Sequence, residues 1–307
     1  MKRIAPLLVI IAASLWGIDG IALRPALYSL PVPLVVFVET GIVAVILIPI
    51  LTKNFYVIRN LSAKDWLSFA GVGFLGGAIG TMAITKALFY VNFVNLSVVI
   101  LIQKLQPVFA LGLAAIILKE RLPKIFFLWA GLAIYGAYLM TFGLSLPNFL
   151  TGEKTIAAAA LSLVAAFSFG SSTVLSKLAL KNVGFEVGTY LRFLISAVIM
   201  LLISSFTGEI AQVGEITSTQ WSIFFLIAFT TGGAAIFLYY YGLKKISASV
   251  ATICELAFPL TAVFLDYIIR GTVLSIIQWL GVALLVFSII KVSGVTFISE
   301  KDNNHSS

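Results

Sequence analysis

The sequence predicts an all-α integral membrane protein of ten transmembrane helices, arranged as two inverted five-helix repeats with both termini cytoplasmic. Three observations carry this. The 307 residues are 61% hydrophobic and 10% charged, with a mean hydropathy of +1.11, which excludes a chain folded in water. Apolar stretches of about 20 residues, the length that crosses the hydrocarbon of a bilayer, recur ten times between short polar breaks. The second half rereads the first at a shift of about 153 residues, and five helices per copy is an odd number, so the copies face opposite ways.

The first helix, about 4–28, follows Lys2 and Arg3 but is longer than an ordinary signal-peptide core; it holds Trp16-Gly17, Asp19 and Gly20. The second, about 32–51, carries Glu39. The third, about 66–90, has Gly73, Gly76, Gly77 and Gly80 at small-xxx-small spacings that permit close helix contact. The fourth, about 94–118, contains Gln103, Lys104, Gln106 and Pro107, and the fifth, about 124–143, contains Trp129-x-Gly131. In the second copy the sixth helix, about 155–180, reads Phe169-Gly170 where the first reads Trp16-Gly17. The seventh, about 186–206, has Arg192 in place of Glu39. The eighth, about 220–243, holds Gly232-Gly233 as a packing surface and Tyr239-Tyr240-Tyr241 as an aromatic belt near its cytoplasmic end. The ninth, about 248–269, carries Cys254, Glu255 and Pro259, the last one residue out of step with Pro107. The tenth, about 273–293, repeats the fifth as Trp279-x-Gly281. Residues 1–150 thus form the first repeat and 151–307 the second, whose polar tail from Glu300 to Ser307 is expected to be disordered.

The net charge of +8 encodes orientation rather than nucleic-acid binding. With the N-terminus inside, fourteen basic residues lie at or near the cytoplasmic face and only Arg24, Lys86, Lys154 and Arg270 at the other. The expected location is the cell (inner) membrane. Asp266 and Arg270, four apart, read as a local pair. Cys254 is the only cysteine, so no intramolecular disulfide forms.

Gln106-Pro107-Val108-Phe109-Ala110, followed by Leu118-Lys119-Glu120-Arg121-Leu122, is similar to the proline-centred fourth helix and Gly-Glu-Arg-Leu-like turn of the EamA-type drug/metabolite transporter superfamily. Trp16-Gly17 fits as well, and the resemblance covers about residues 4–293. The chain departs from the pattern at Lys119, where glycine is common, and at Ile269-Arg270-Gly271-Thr272, which lacks the glutamate. The resemblance implies a ten-helix transporter and leaves the substrate open, since the superfamily carries amino acids, nucleotide sugars, phosphorylated metabolites and drugs.

The residues point the same way. A proline inside a helix removes a hydrogen bond and displaces the carbonyl four residues earlier; Pro107 and Pro259 would free those of Gln103 and Glu255 as kinks lining a water-filled cavity. A charge at the centre of a membrane helix costs roughly 2.5–3.5 kcal/mol, so such residues face inward. Lys104 and Glu255 are expected near the midplane, either as a salt bridge or held apart by a substrate whose carboxylate meets Lys104 and whose amine meets Glu255. Gln103, Gln106 and the interior anchor Trp16 complete the proposed binding set. Glu39 and Arg192, at different depths, are expected either to serve gates on their own sides or to sit in fixed structural ion pairs, and Asp19 to act as a proton site or amine ligand. Arg192 also stands in the binding set, since Lys104 and Arg192 against Asp19, Glu39 and Glu255 leave the charge roughly balanced, which suits a zwitterion.

The function expected is therefore secondary active transport by alternating access, with export of an amino acid or related small polar metabolite first and an anionic metabolite bound at Lys104 and Arg192 as the alternative. A receptor or scaffold would not need buried charges in both halves. An enzyme would need a nucleophile and base or a metal set, and the sequence has no Gly-x-Ser-x-Gly, no histidine outside the tail and no paired acidic motif. No cofactor or metal is expected; the partners are a small-molecule substrate and membrane lipid, with proton coupling and a homodimer as further expectations.

Overall fold

The computed structural model of the chain describes residues 4–91, 99, 102–146, 153–271 and 273–304, and among these every regular element is helical. Among the described residues eight helices are long and apolar enough to cross a membrane: α1 (Ala5–Leu27), α3 (Ala63–Tyr90), α5 (Lys124–Phe142), α6 (Lys154–Ala179), α7 (Phe185–Phe206), α8 (Ser218–Lys245), α9 (Ala248–Ile269) and α10 (Ile276–Gly294). Two shorter apolar helices, α2 (Val32–Ile46) and α4 (Gln106–Leu118), stand in order between them. This is a multi-pass membrane protein.

Several spans end where sequence chemistry says they must. Pro123 precedes α5 in extended conformation, and Gly143 ends it at φ 61°. Serine or threonine caps begin the helices at Ala63 and Ser218, each as a reciprocal capping box. The span expected over 32–51 stops at Ile46 and restarts as a short helix, Ile48–Lys53, whose second residue is Pro49. The tail expected to be disordered instead continues the last helix to Asn304. The first part of the fourth span, residues 92–98, 100 and 101, and the side chains of Asp266 and Arg270 lie outside the described residues.

Within the spans the helical pitch is repeatedly interrupted. Helix α1 passes through a π-helical turn at Asp19–Leu23 into a 3-10 turn at Arg24–Leu27, where Pro25 has no N–H to continue the α pattern. Wide π turns also occupy Val72–Ile79 of α3 and Ala114–Leu118 of α4. Helix α8 breaks between Phe229 and Gly233, so the glycine pair marks an interruption rather than a plain packing surface. Helix α9 breaks at Glu255 and Leu256.

These breaks correct the expected role of the prolines. Pro107 and Pro259 sit within the first turn of a helix that has just restarted, where a missing N–H costs little. The Glu255 carbonyl is not freed; it accepts the Phe258 N–H at 3.0 Å.

The two halves of the chain interleave. Helix α1 packs on α8 and α9, α2 on α7, α3 on α6 and α7, and α4 on α6, while α5 and α10 form a pair. Glycine makes the α3 contact possible: a methyl group at Gly77 would lie 1.6 Å from Ser196 Oγ, and one at Gly76 2.1 Å from Ser172 Oγ. Gly77→Ala should therefore cost about 1–3 kcal/mol. Thermal unfolding in detergent would show the loss, with Ser196→Gly restoring much of it; an unshifted single variant would mean that α3 moves away without penalty.

Outside the bilayer-facing surface, one carboxylate ties the halves together. Glu120, just past α4, accepts the Ala248 N–H at 2.8 Å, the Ser249 N–H at 3.1 Å and the Ser249 hydroxyl at 2.5 Å, capping the start of α9. Lys119 takes a left-handed conformation, φ 56°, to aim it there.

Candidate functional site

The interrupted parts of α1, α3, α8 and α9, with the start of α4, converge on one cavity of about 190 Å³, to which α2, α6 and α7 also contribute. Trp16, Asp19, Glu39, Gln103, Lys104, Gln106, Pro107, Arg192, Glu255 and Pro259 all line it. Charged side chains in the middle of apolar helices are costly unless they share such a space, which is why they gather here.

The pairing among them is not the one the sequence implied. Lys104 and Glu255 form no salt bridge. Lys104 lies in the turn ahead of Pro107, and its ammonium points to α5, donating to the Ala137 carbonyl at 2.6 Å and to the Thr141 hydroxyl. Glu255 is met by neutral donors: the Tyr239 hydroxyl at 2.6 Å, the Gln106 amide and the Thr173 hydroxyl at 3.3 Å. With its oxygens occupied by these groups, Glu255 has no need of the lysine.

The ion pairs on the cavity wall belong instead to Arg24. Asp19 Oδ2 accepts from Arg24 Nε at 2.8 Å and Nη2 at 2.5 Å, Glu39 Oε2 accepts from Nη2 at 3.1 Å, and Thr85 Oγ1 accepts from Nη1 at 3.0 Å. All three charged residues are buried, with 6–8% exposure. The sequence reading had left Arg24 among the basic residues of the outer face. Its pairing with Asp19 depends on the π turn, because residues five apart lie about 140° apart around an α-helix, whereas a π turn closes on that spacing. Arg24-Pro25 at the end of an apolar run, five residues after Asp19, was the available signal.

Arg192 has no carboxylate partner among the described residues. It faces the Tyr240 ring, 5.9 Å from guanidinium carbon to centroid, and makes long contacts of 3.4–3.5 Å to Ser172 Oγ, Tyr240 Oη and the Gly76 carbonyl. Of the three tyrosines, expected in an interfacial belt with at most one or two facing a cavity, Tyr239 and Tyr240 are buried and Tyr239 lines the cavity, its ring 5.3 Å from that of Trp16. Phe169, Phe193 and Phe258 add further aromatic wall. Asp19 Oδ1, Gln103 Oε1, Thr231 Oγ1 and Thr252 Oγ1, all on cavity-lining residues, are buried without a hydrogen-bond partner. Buried polar atoms are ordinarily paired, and these four are placed to bond to water or solute in the cavity.

The arrangement offers several aromatic rings tilted to one another, donors and acceptors that spread over several helices, and charge compensated within the wall. The model of the EamA-like transporter family matches residues 3–142 and again 156–294. "Riboflavin transporter ImpX" of Fusobacterium nucleatum is 47% identical over 292 residues, 94% of this chain and 96% of its own. "Uncharacterized transporter sll1164" of Synechocystis is 25% identical, covering 76% of this chain and 67% of its own length. One solved crystal structure superposes on 96% of this chain and 99% of its own at a TM-score of 0.72 and 16% identity, which speaks to the fold alone.

Proposed function

The chain belongs to the EamA-like transporter family, and from that premise we propose that it carries riboflavin or a closely related flavin across the membrane by alternating access. The observation that carries the substrate class is the 47% identity, over nearly the full length of both chains, with a transporter named for riboflavin. In this reading ten helices work as two inverted five-helix repeats. The two family matches, which begin 153 residues apart, support the repeat, and the one-sided distribution of lysine and arginine supports cytoplasmic termini in an inner membrane.

The cavity suits such a molecule. Riboflavin joins an uncharged, planar ring system to a chain of hydroxyl groups. Trp16, Tyr239 and Phe258 supply ring faces, each aromatic contact being worth about 0.5–1.5 kcal/mol beyond its buried area, and Gln103, Thr231 and Thr252 supply unpaired polar atoms. With Arg24 counted, three cations face three carboxylates, so a neutral solute leaves the balance undisturbed. The amino acid expected from sequence needed Lys104 and Glu255 to hold opposite ends, and both are engaged elsewhere.

Arg192, with only long contacts to neutral groups, favours one second reading, a flavin bearing a phosphate. Proton coupling belongs to the same proposal. Counterflow of radiolabelled riboflavin in proteoliposomes tests it: wild-type protein should exchange riboflavin, unlabelled amino acids should not compete, and Trp16→Ala should weaken binding at least about tenfold, the equivalent of 1.4 kcal/mol. Exchange of flavin mononucleotide alone would favour the second reading, and no flavin exchange at all would remove both.

A further inference from the structure

One cluster on the otherwise balanced cavity wall holds an acidic excess that carriage of a neutral flavin does not use. Asp19 and Glu39 share one guanidinium, that of Arg24, so the buried cluster carries a formal charge of −1. The two carboxylates are not held alike. Asp19 Oδ2 receives two N–H groups of Arg24, at 2.8 and 2.5 Å, while Glu39 receives one, at 3.1 Å. Asp19 Oδ1 has no partner, although it is buried. Charge of this kind is expensive at membrane depth, and a single proton would neutralise the cluster.

We propose that Asp19 and Glu39, joined through Arg24, form one proton-binding site that couples substrate movement to a proton gradient. This deepens the transport reading and rests on it for the coupling, but not for the site. A proton taken from water on one side adds to a carboxylate oxygen; Glu39, held by a single contact, is the member that then lets go of Arg24. Its release uncouples α2 from α1. Glu39 Oε1 already faces the break in α8, where a Cβ at Gly232 would stand 3.6 Å away, and the adjacent Thr231 hydroxyl is without a partner. Return of Glu39 to Arg24 on the other side of the cycle delivers the same proton to the opposite water, so one proton moves per cycle and no bond other than O–H is made or broken.

The other titratable groups facing this cavity are Arg192 from α7, Tyr239 from α8, Glu255 from α9 and Lys104 from α4; α3 presents the Thr85 hydroxyl, and its Lys86 is exposed beside Tyr90. Glu255 is the competing proton acceptor. The experiment must therefore separate two carboxylate sites, which pH-difference infrared spectroscopy of the full-length protein in lipid does without any substrate. A protonated-carboxyl band should appear on acidification, be lost in Glu39→Gln and in Asp19→Asn, and persist in Glu39→Asp and Glu255→Gln. Absence of the band from wild-type protein, or its loss in Glu255→Gln alone, overturns the proposal. In proteoliposomes a pH gradient should accelerate riboflavin movement by wild-type protein and not by Glu39→Gln; equal acceleration of both overturns the coupling. Failure of riboflavin to move at all would defeat the transport reading while leaving the infrared assignment standing.

Discussion

Arg24→Ala is expected to cost the folded protein about 3–5 kcal/mol, the largest loss of any single side chain in the cavity wall. The cost arises less from the lost hydrogen bonds than from what remains: two carboxylates, at 8% and 7% exposure, with no cation between them. Thermal unfolding in detergent should show a large drop, and little protein should survive purification. Removing the charges together, as Arg24→Ala with Asp19→Asn and Glu39→Gln, should recover most of the loss, since a buried ion cluster contributes little net stability over neutral groups of similar shape. Arg24→Lys should fall between, because a lysine cannot present the fork that reaches Asp19, Glu39 and Thr85 at once. A single alanine variant that unfolds at the wild-type temperature would show that water, not Arg24, balances the acids.

Glu120→Ala is expected to weaken the arrangement described above by about 2–4 kcal/mol, given about 1.5–3 kcal/mol for each hydrogen bond to a charged group and partial replacement by water. Glu120 joins the end of α4 to the start of α9, so its loss orphans the Ala248 and Ser249 N–H groups and the Ser249 hydroxyl together. The negative charge at a helix N-terminus is lost as well. That energy corresponds to roughly a 30- to 1000-fold shift in the population of the state that keeps the contact. Hydrogen exchange read by mass spectrometry should accelerate across Ala248–Cys254, and Glu120→Gln should show an intermediate effect. Unchanged protection of that segment would mean that α9 is held by packing alone.

The long spans were legible because their signal is length and apolarity, which lipid imposes residue by residue: the fifth, expected over 124–143, is Lys124–Phe142. The interruptions were not. A broken helix within the bilayer is possible only where the backbone is still satisfied, and here rearranged local bonds do it, Gly232 N–H to the Ile227 carbonyl at 2.7 Å and Phe258 N–H to the Glu255 carbonyl at 3.0 Å, which an apolar pattern does not record. For the same reason the charged residues announced that they face inward, but not whom they meet. Lys104 and Glu255 were assigned to each other on depth; the rotation of each helix sends one to Ala137 and Thr141 and the other to Tyr239 and Gln106. Arg24 was missed because counting positive charges by side treats every arginine near a helix end as solvated, while the π turn had already drawn it inward.

That wide turn has a counterpart in α3, Val72–Ile79, with a consequence for how the chain is counted. A π turn is an α-helix that has gained one residue without lengthening by a full turn. In the sequence alignment of the halves the offset is 153 between Glu39 and Arg192 and 152 between Pro107 and Pro259, which asks for one additional residue between positions 39 and 107. The segment at 72–79 is the natural place to hold it. Deleting one residue there would restore an even α pitch and bring the Glu39–Arg192 and Pro107–Pro259 matches to one offset, but it would turn all that follows in α3 by about 100°. Thr85 would leave Arg24, and Gly80 would leave the Phe169 ring against which it sits. A gapless alignment of the halves thus describes a different protein from the one that folds.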